Sequence, residues 1–183
     1  MIMTVAELRQ FIETDETDQM LEGLLKALEL SIREYTNNNF CVRAFRAVAI
    51  STDGHELLCN SKVPFVVDDT LQITESDFMQ DCLVTVESVS DNTIVVTEEL
   101  FEESGIVITK VKYPQDVKMG VVNLVKWELD MRNKVGIASE SISRHSVTYV
   151  DQTGTNTVMG YPAALMGFLK PYRKAMFGRG IRV

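Results

Sequence analysis

Residues 135–151 read VGIASESISRHSVTYVD, which places Ser139, Ser141, Ser143 and Ser146 close to Glu140 and His145. A serine activated by a histidine that a carboxylate orients is the chemistry of acyl transfer, so hydrolysis is the first reading to weigh. That chemistry needs its groups delivered from separated segments at a defined geometry, and neighbours along one strand or loop do not supply it. The chain has only two histidines, His55 and His145, and no G-x-S-x-G elbow. The expectation is therefore that the protein is not an enzyme and has no catalytic residues.

Other chemistries are no better supplied. Asp68 with Asp69, or Glu98, Glu99, Glu102 and Glu103, could attract calcium, but EF-hand spacing and H-E-x-x-H are both missing, so no metal site is expected. Neither G-x-x-x-x-G-K-[ST] nor G-x-G-x-x-G occurs, and no cofactor is expected. Cys41, Cys59 and Cys82 are an odd number, widely spaced and without a C-x-x-C pair. They are read as thiols packed like small apolar groups in a reducing, intracellular protein. No stretch is apolar enough to span a bilayer and the start lacks a signal-peptide pattern, so a soluble protein with no membrane partner is expected.

The elements that would carry these residues change period along the chain. Thr4 and Glu7 have capping-box spacing ahead of Leu8, Phe11 and Ile12, which predicts a first helix of about three turns. After the acidic joint ETDETD, Met20, Leu21, Leu24, Leu25, Leu28, Ile32 and Tyr35 recur at helical spacing until TNNNF closes the helix. From 41 to 112 short segments rich in β-branched residues alternate, with turn signals at 52–54 and 90–92, which predicts about six antiparallel strands. Residues 98–105, EELFEESG, are read as a helical turn or loop. Pro114 and Asp116 open a third helix that Arg132, Lys134 and Gly136 would close. Residues 151–160 read as a flexible loop, 162–170 as a short apolar helix cut off by Pro171, and the rest as a basic tail not ordered alone. The predicted fold class is α+β: a mostly helical core, with three main helices plus a short C-terminal helix, and a small antiparallel β-sheet or barrel insertion. Its parts are the helical pair 1–40, the β insertion 41–112, the core helix 113–135, and 136–183 as extended segment, short helix and basic tail.

Charge divides the chain as sharply as the pattern does. Residues 1–131 carry 24 acidic and 10 basic side chains, while 132–183 carry 2 acidic and 8 basic. Such polarity suits a tail that docks on an acidic partner, another copy of the same chain included. A small nucleic-acid-binding module is the alternative reading. The predicted sheet is acidic, however, and Phe65 and Phe78 are not interleaved with Lys or Arg.

Two stretches together resemble a known family. Residues 3–40, MTVAELRQFIETDETDQMLEGLLKALELSIREYTNNNF, resemble the N-terminal helical pair of tailed-bacteriophage head-tail connector proteins, the adaptor or head-completion proteins. GIASESISRHSVTY, residues 136–149, resembles the segment after their last core helix, which often ends in a short GYP helix, as at 160–162. Residues 66–96 are similar to the β insertion that some of these connectors carry. The resemblance implies a structural virion protein with no active site, made in the cytoplasm of a host bacterium and located at the head-tail interface. It would form a homo-oligomeric ring beneath the portal protein, extend the DNA channel, and offer a surface to the downstream neck, stopper or tail-completion protein. DNA would pass through without sequence-specific binding, and an acidic channel wall would let it slide. Ser139, Glu140, Ser141, Arg144 and Tyr149 would then be subunit-interface residues. Lys170, Arg173, Lys174 and Arg179 would dock on the portal or an adjacent subunit.

Overall fold

The computed structural model describes residues 1–131, 139–142, 145–148 and 157–175. The chain divides into two compact units, one of Met1 with 39–113 and the other of 2–38 with 114–183.

The first unit is a closed antiparallel barrel of five strands. They are β1 (Cys41–Cys59), β2 (Thr70–Thr74), β3 (Leu83–Ser90), β4 (Thr93–Leu100) and β5 (Ile106–Val111). The order round the barrel is β1-β4-β3-β2-β5, with β1 and β5 paired to close it. One long strand makes the closure possible. The first half of β1 pairs with β5, as in Ala49 opposite Ile106, and its second half pairs with β4, as in Leu57 opposite Ile94. At 52–54, where a turn was expected, the strand instead rounds a corner and its register with β4 shifts between Gly54 and Glu56. Gly54 has φ +57, a conformation that favours residues without a Cβ, and the shift supplies the bend a strand needs to change partners.

Period-two alternation fills the barrel. Leu71 and Ile73, Val84 and Val86, Ile94 and Val96, and Ile106 and Ile108 all belong to its buried cluster. Each such aliphatic contributes about 1.5–3 kcal/mol on burial. Asp91 and Asn92 make the turn between β3 and β4. Asp91 takes φ 44, and the Asn92 side chain donates to the Cys59 carbonyl at 3.1 Å. The neck of the barrel is closed by Cys41 opposite Val111, by the Lys112 amide donating to the Phe40 carbonyl at 3.0 Å, and by the rings of Phe40 and Tyr113 at 4.8 Å.

The second unit holds the helices. The first, α1 (Val5–Arg9), starts with the capping box: Thr4 Oγ1 accepts from the Glu7 amide and Glu7 accepts from the Thr4 amide, both at 3.1 Å. It stops after five residues. The Arg9 guanidinium gathers the carbonyls of Thr14 and Glu16 and the Asp18 carboxylate, so the acidic joint folds back on the helix end. Helix α2 (Asp18–Thr36) is capped by Thr17 and ends on Asn37, at φ 47 and ψ 40. It buries Leu21, Leu25, Leu28 and Ile32. Helix α3 (Gln115–Met131) buries Val117, Val121, Val122, Leu124 and Val125. Arg132, Lys134 and Gly136, the expected stop, lie outside the described residues.

Three short pieces follow α3. Strands β6 (Ser139–Ile142) and β7 (His145–Thr148) pair with each other, and β8 (Thr157–Val158) and β9 (Tyr161–Pro162) form a second hairpin. Met159 and Gly160, at φ 55 and 82, make the turn of this second hairpin, as a two-residue hairpin loop demands. In place of the expected apolar helix at 162–170 there is a 3-10 helix, Gly167–Tyr172, with Pro171 inside it. Gly167 and Pro171 both oppose an α-helix, and the tighter helix is the form used for such short runs.

The predicted fold class, α+β with a mostly helical connector core and a small β insertion, is therefore corrected: the protein is mostly β. One of the three main helices shrinks to five residues and the C-terminal one is not α. Residues 98–100, read as helical turn or loop, finish β4, and two expected strands fuse into the 19-residue β1. No helix among the described residues is long and apolar enough to cross a membrane.

Candidate functional site

The serine-rich stretch that suggested chemistry becomes a two-stranded ladder. Ser139 pairs with Thr148, Glu140 with Val147, Ser141 with Ser146 and Ile142 with His145. Among the described residues it has no third strand. An isolated ladder leaves a row of backbone donors and acceptors unmatched on each outer edge, which is a template for pairing with another chain. Of the five interface residues expected here, Ser139, Glu140 and Ser141 lie consecutively on β6, and Arg144 and Tyr149 lie outside the described residues.

The other named residues fall at the end of α2. The Lys174 amide donates to the Thr36 carbonyl at 2.8 Å, the Asn37 side chain donates to the Ala175 carbonyl at 3.2 Å, and that of Asn38 to the Tyr172 carbonyl at 3.2 Å. The Arg173 guanidinium lies 4.8 Å over the Tyr35 ring. The Tyr172 hydroxyl meets both carboxylate oxygens of Asp116 at 2.8 Å, and this hydrogen bond to an anion is the main reason its pKa is raised. Part of the basic tail, expected not to be ordered alone, is thus tied down as far as Ala175. Arg179 lies outside the described residues.

A cavity of about 540 Å³ opens between these groups, lined by Glu34, Tyr35, Asn37, Lys170, Arg173, Lys174 and Ala175. Three cations at the C-terminal end of a helix offset the negative end of its dipole. The same three against one carboxylate, Glu34, leave positive charge over for an acidic partner.

Several of the groups weighed for catalysis and metal binding are engaged elsewhere. His55 sits in β1, not in a turn, with Nδ1 3.0 Å from the Glu98 carbonyl oxygen. The Glu98 carboxylate accepts from the Thr85 amide at 2.7 Å, and Asp69 pairs with Lys110 at 2.5 Å. Among the described residues no group of three or more potential ligands could hold a metal ion. Cys59 is buried and its thiol pKa is pushed up by desolvation, as a packed thiol should be, whereas Cys82 is exposed, contrary to expectation.

Sequence reasoning missed a surface at one end of the barrel. Phe78 and Phe101 stand there 71% and 62% exposed with ring centroids 5.8 Å apart. Their backbone is fixed from beneath. Glu103 accepts from the Ser76 hydroxyl and from the amides of Asp77 and Phe78 at 3.0 and 3.1 Å, and the Ser76 contact is the main cause of its lowered pKa. The buried Thr52 hydroxyl donates to the Phe101 carbonyl at 2.6 Å and accepts from the Glu103 amide at 2.9 Å. Segments 50–58, 74–82 and 97–107, which meet here, hold nine carboxylates and no Lys or Arg. That bias was visible in the sequence, but the exposure of Phe101 depends on how β4 leaves the barrel.

Compared with known protein families and with curated proteins, the chain matches none.

Proposed function

We propose that the chain is a structural part of a tailed-bacteriophage virion, a connector that forms a ring beneath the portal and carries the next neck or tail component. The reading rests on one observation, the succession of parts in the second unit. A capped helix pair ending in YTNN is followed by the long α3, the two-stranded ladder of β6 and β7, and the GYP motif, which takes the form of a hairpin turn and strand β9 in place of the short helix that the resemblance implied. This is the order in which the chain resembles the head-tail connectors. The fold class as a whole, which is mostly β, does not enter the argument.

In this role the ladder is an assembly element. A neighbouring copy pairs with its outer edge, and Ser139, Glu140, Ser141, Arg144 and Tyr149 contribute to the interface. An exposed Glu140–Arg144 pair between subunits would add only about 0–1 kcal/mol. Affinity then comes mainly from the backbone ladder, while Lys170, Arg173, Lys174 and Arg179 offer positive charge to the portal or an adjacent subunit and so favour the right partner.

Native mass spectrometry with negative-stain imaging of the purified chain, from dilute to concentrated, is the test. Closed rings are expected, or binding to isolated portal protein where the portal must nucleate the ring. A chain that stays monomeric at every concentration and does not bind portal sinks the proposal.

A further inference from the structure

Exposed apolar side chains are ordinary when scattered, but a preordered aromatic pair set in charge of one sign marks a binding surface. Phe78 and Phe101 are such a pair. Both rings face solvent, and the backbone beneath them is fixed by Glu103 and Thr52, so little backbone freedom remains to be lost when a partner covers them. Around them Asp53, Glu75, Asp77, Glu99 and Glu102 are exposed. The fitting ligand is a short cationic segment that also carries aromatic or aliphatic side chains.

The chain contains one. Residues 176–183 read MFGRGIRV, with Phe177 and Ile181 for the rings and Arg179 and Arg182 for the carboxylates, and no acidic residue occurs from 152 to 183. This segment departs from a fixed point, because Lys174 and Ala175 are bound to the end of α2. Its extended reach is up to about 28 Å, enough to lie across both rings and the carboxylates round them. We propose that the acidic, phenylalanine-bearing end of the barrel receives residues 176–183 of a second copy of this chain.

Every copy then offers one socket and one plug, a head-to-tail arrangement that closes into a ring when the rotation per subunit permits. The inference rests on the reading of the chain as a self-assembling ring, and it adds the two surfaces that meet.

The test uses a fluorescent peptide of residues 174–183 titrated into the full chain at a dilution where native mass spectrometry shows it monomeric, so that no socket is already filled by a neighbouring copy. Saturable binding that weakens as salt is raised is expected, with affinity at least about tenfold lower for Phe78→Ser/Phe101→Ser. Both residues are on the surface, and circular dichroism checks that the variant is folded. A charge exchange gives a second route: Glu99→Lys/Glu102→Lys should lose the parent peptide and bind one carrying Arg179→Glu and Arg182→Glu. No binding, equal binding by the serine variant, or undiminished binding of a Phe177→Ser/Ile181→Ser peptide overturns the inference. Rings formed without peptide binding would end the docking idea and leave the connector reading standing. Peptide binding by a chain that neither forms rings nor binds portal would do the reverse.

Discussion

Gly120 occupies the middle of α3, where glycine ordinarily weakens a helix by about 0.5–1 kcal/mol relative to alanine. A Cβ there would come within 2.4 Å of the Phe168 ring, so close approach is what the position requires. Gly120→Ala should therefore lower stability by about 1–2 kcal/mol in denaturant unfolding, the overpacking cost exceeding the gain in helix propensity. In a Phe168→Leu background the same change should be neutral or stabilising. An unconditional stabilisation by Gly120→Ala would show that the ring yields freely and that the contact constrains nothing.

At the scale of elements, the segment from Lys170 to Ala175 has a structural duty as well as a proposed docking one, and two truncations separate them. Ending the chain after Ala175 keeps the bonds to Thr36, Asn37, Asn38 and Asp116, so its unfolding midpoint should match the parent's. Ending it after Lys170 removes all four and should cost about 1–3 kcal/mol. A failure of the shorter chain to assemble would then reflect stability, while a failure of the longer one would bear on docking. Elements governed by local chemistry were legible in advance: the Thr4–Glu7 capping box, the Asn37 cap and the Asp91–Asn92 turn each depend on residues within one turn of chain. Elements decided by distant partners were not. The 52–54 signal is a real local bend, but only the pairing of β1 with both β5 and β4 makes it a corner in one strand and not the end of two. The brevity of α1 has a similar origin, since Arg9 collects oxygens from five to nine residues ahead. At the candidate sites, the basic residues were legible by type, while their anchorage on α2 depended on contacts more than a hundred residues apart.

For the whole molecule, the neck of the barrel has a consequence for cooperativity. Cys41 faces Val111 across the ladder, so a folded barrel returns the chain to the point where it left, and the helical unit sees a short link between 38 and 114. An unfolded barrel is instead a floppy loop of residues 39–113, whose closure costs the helical unit on the order of 4 kcal/mol in chain entropy. Each unit's folding therefore lowers the free energy of the other through connectivity alone. The single tryptophan, Trp127, lies in α3 and reports on the helical unit. Ile94→Ala, a cavity in the barrel costing about 2–5 kcal/mol, should lower the melting temperature read by Trp127 fluorescence although Ile94 and Trp127 belong to different units. An unchanged Trp127 transition, with the barrel already melted by circular dichroism, would mean that the two units unfold as strangers on one chain.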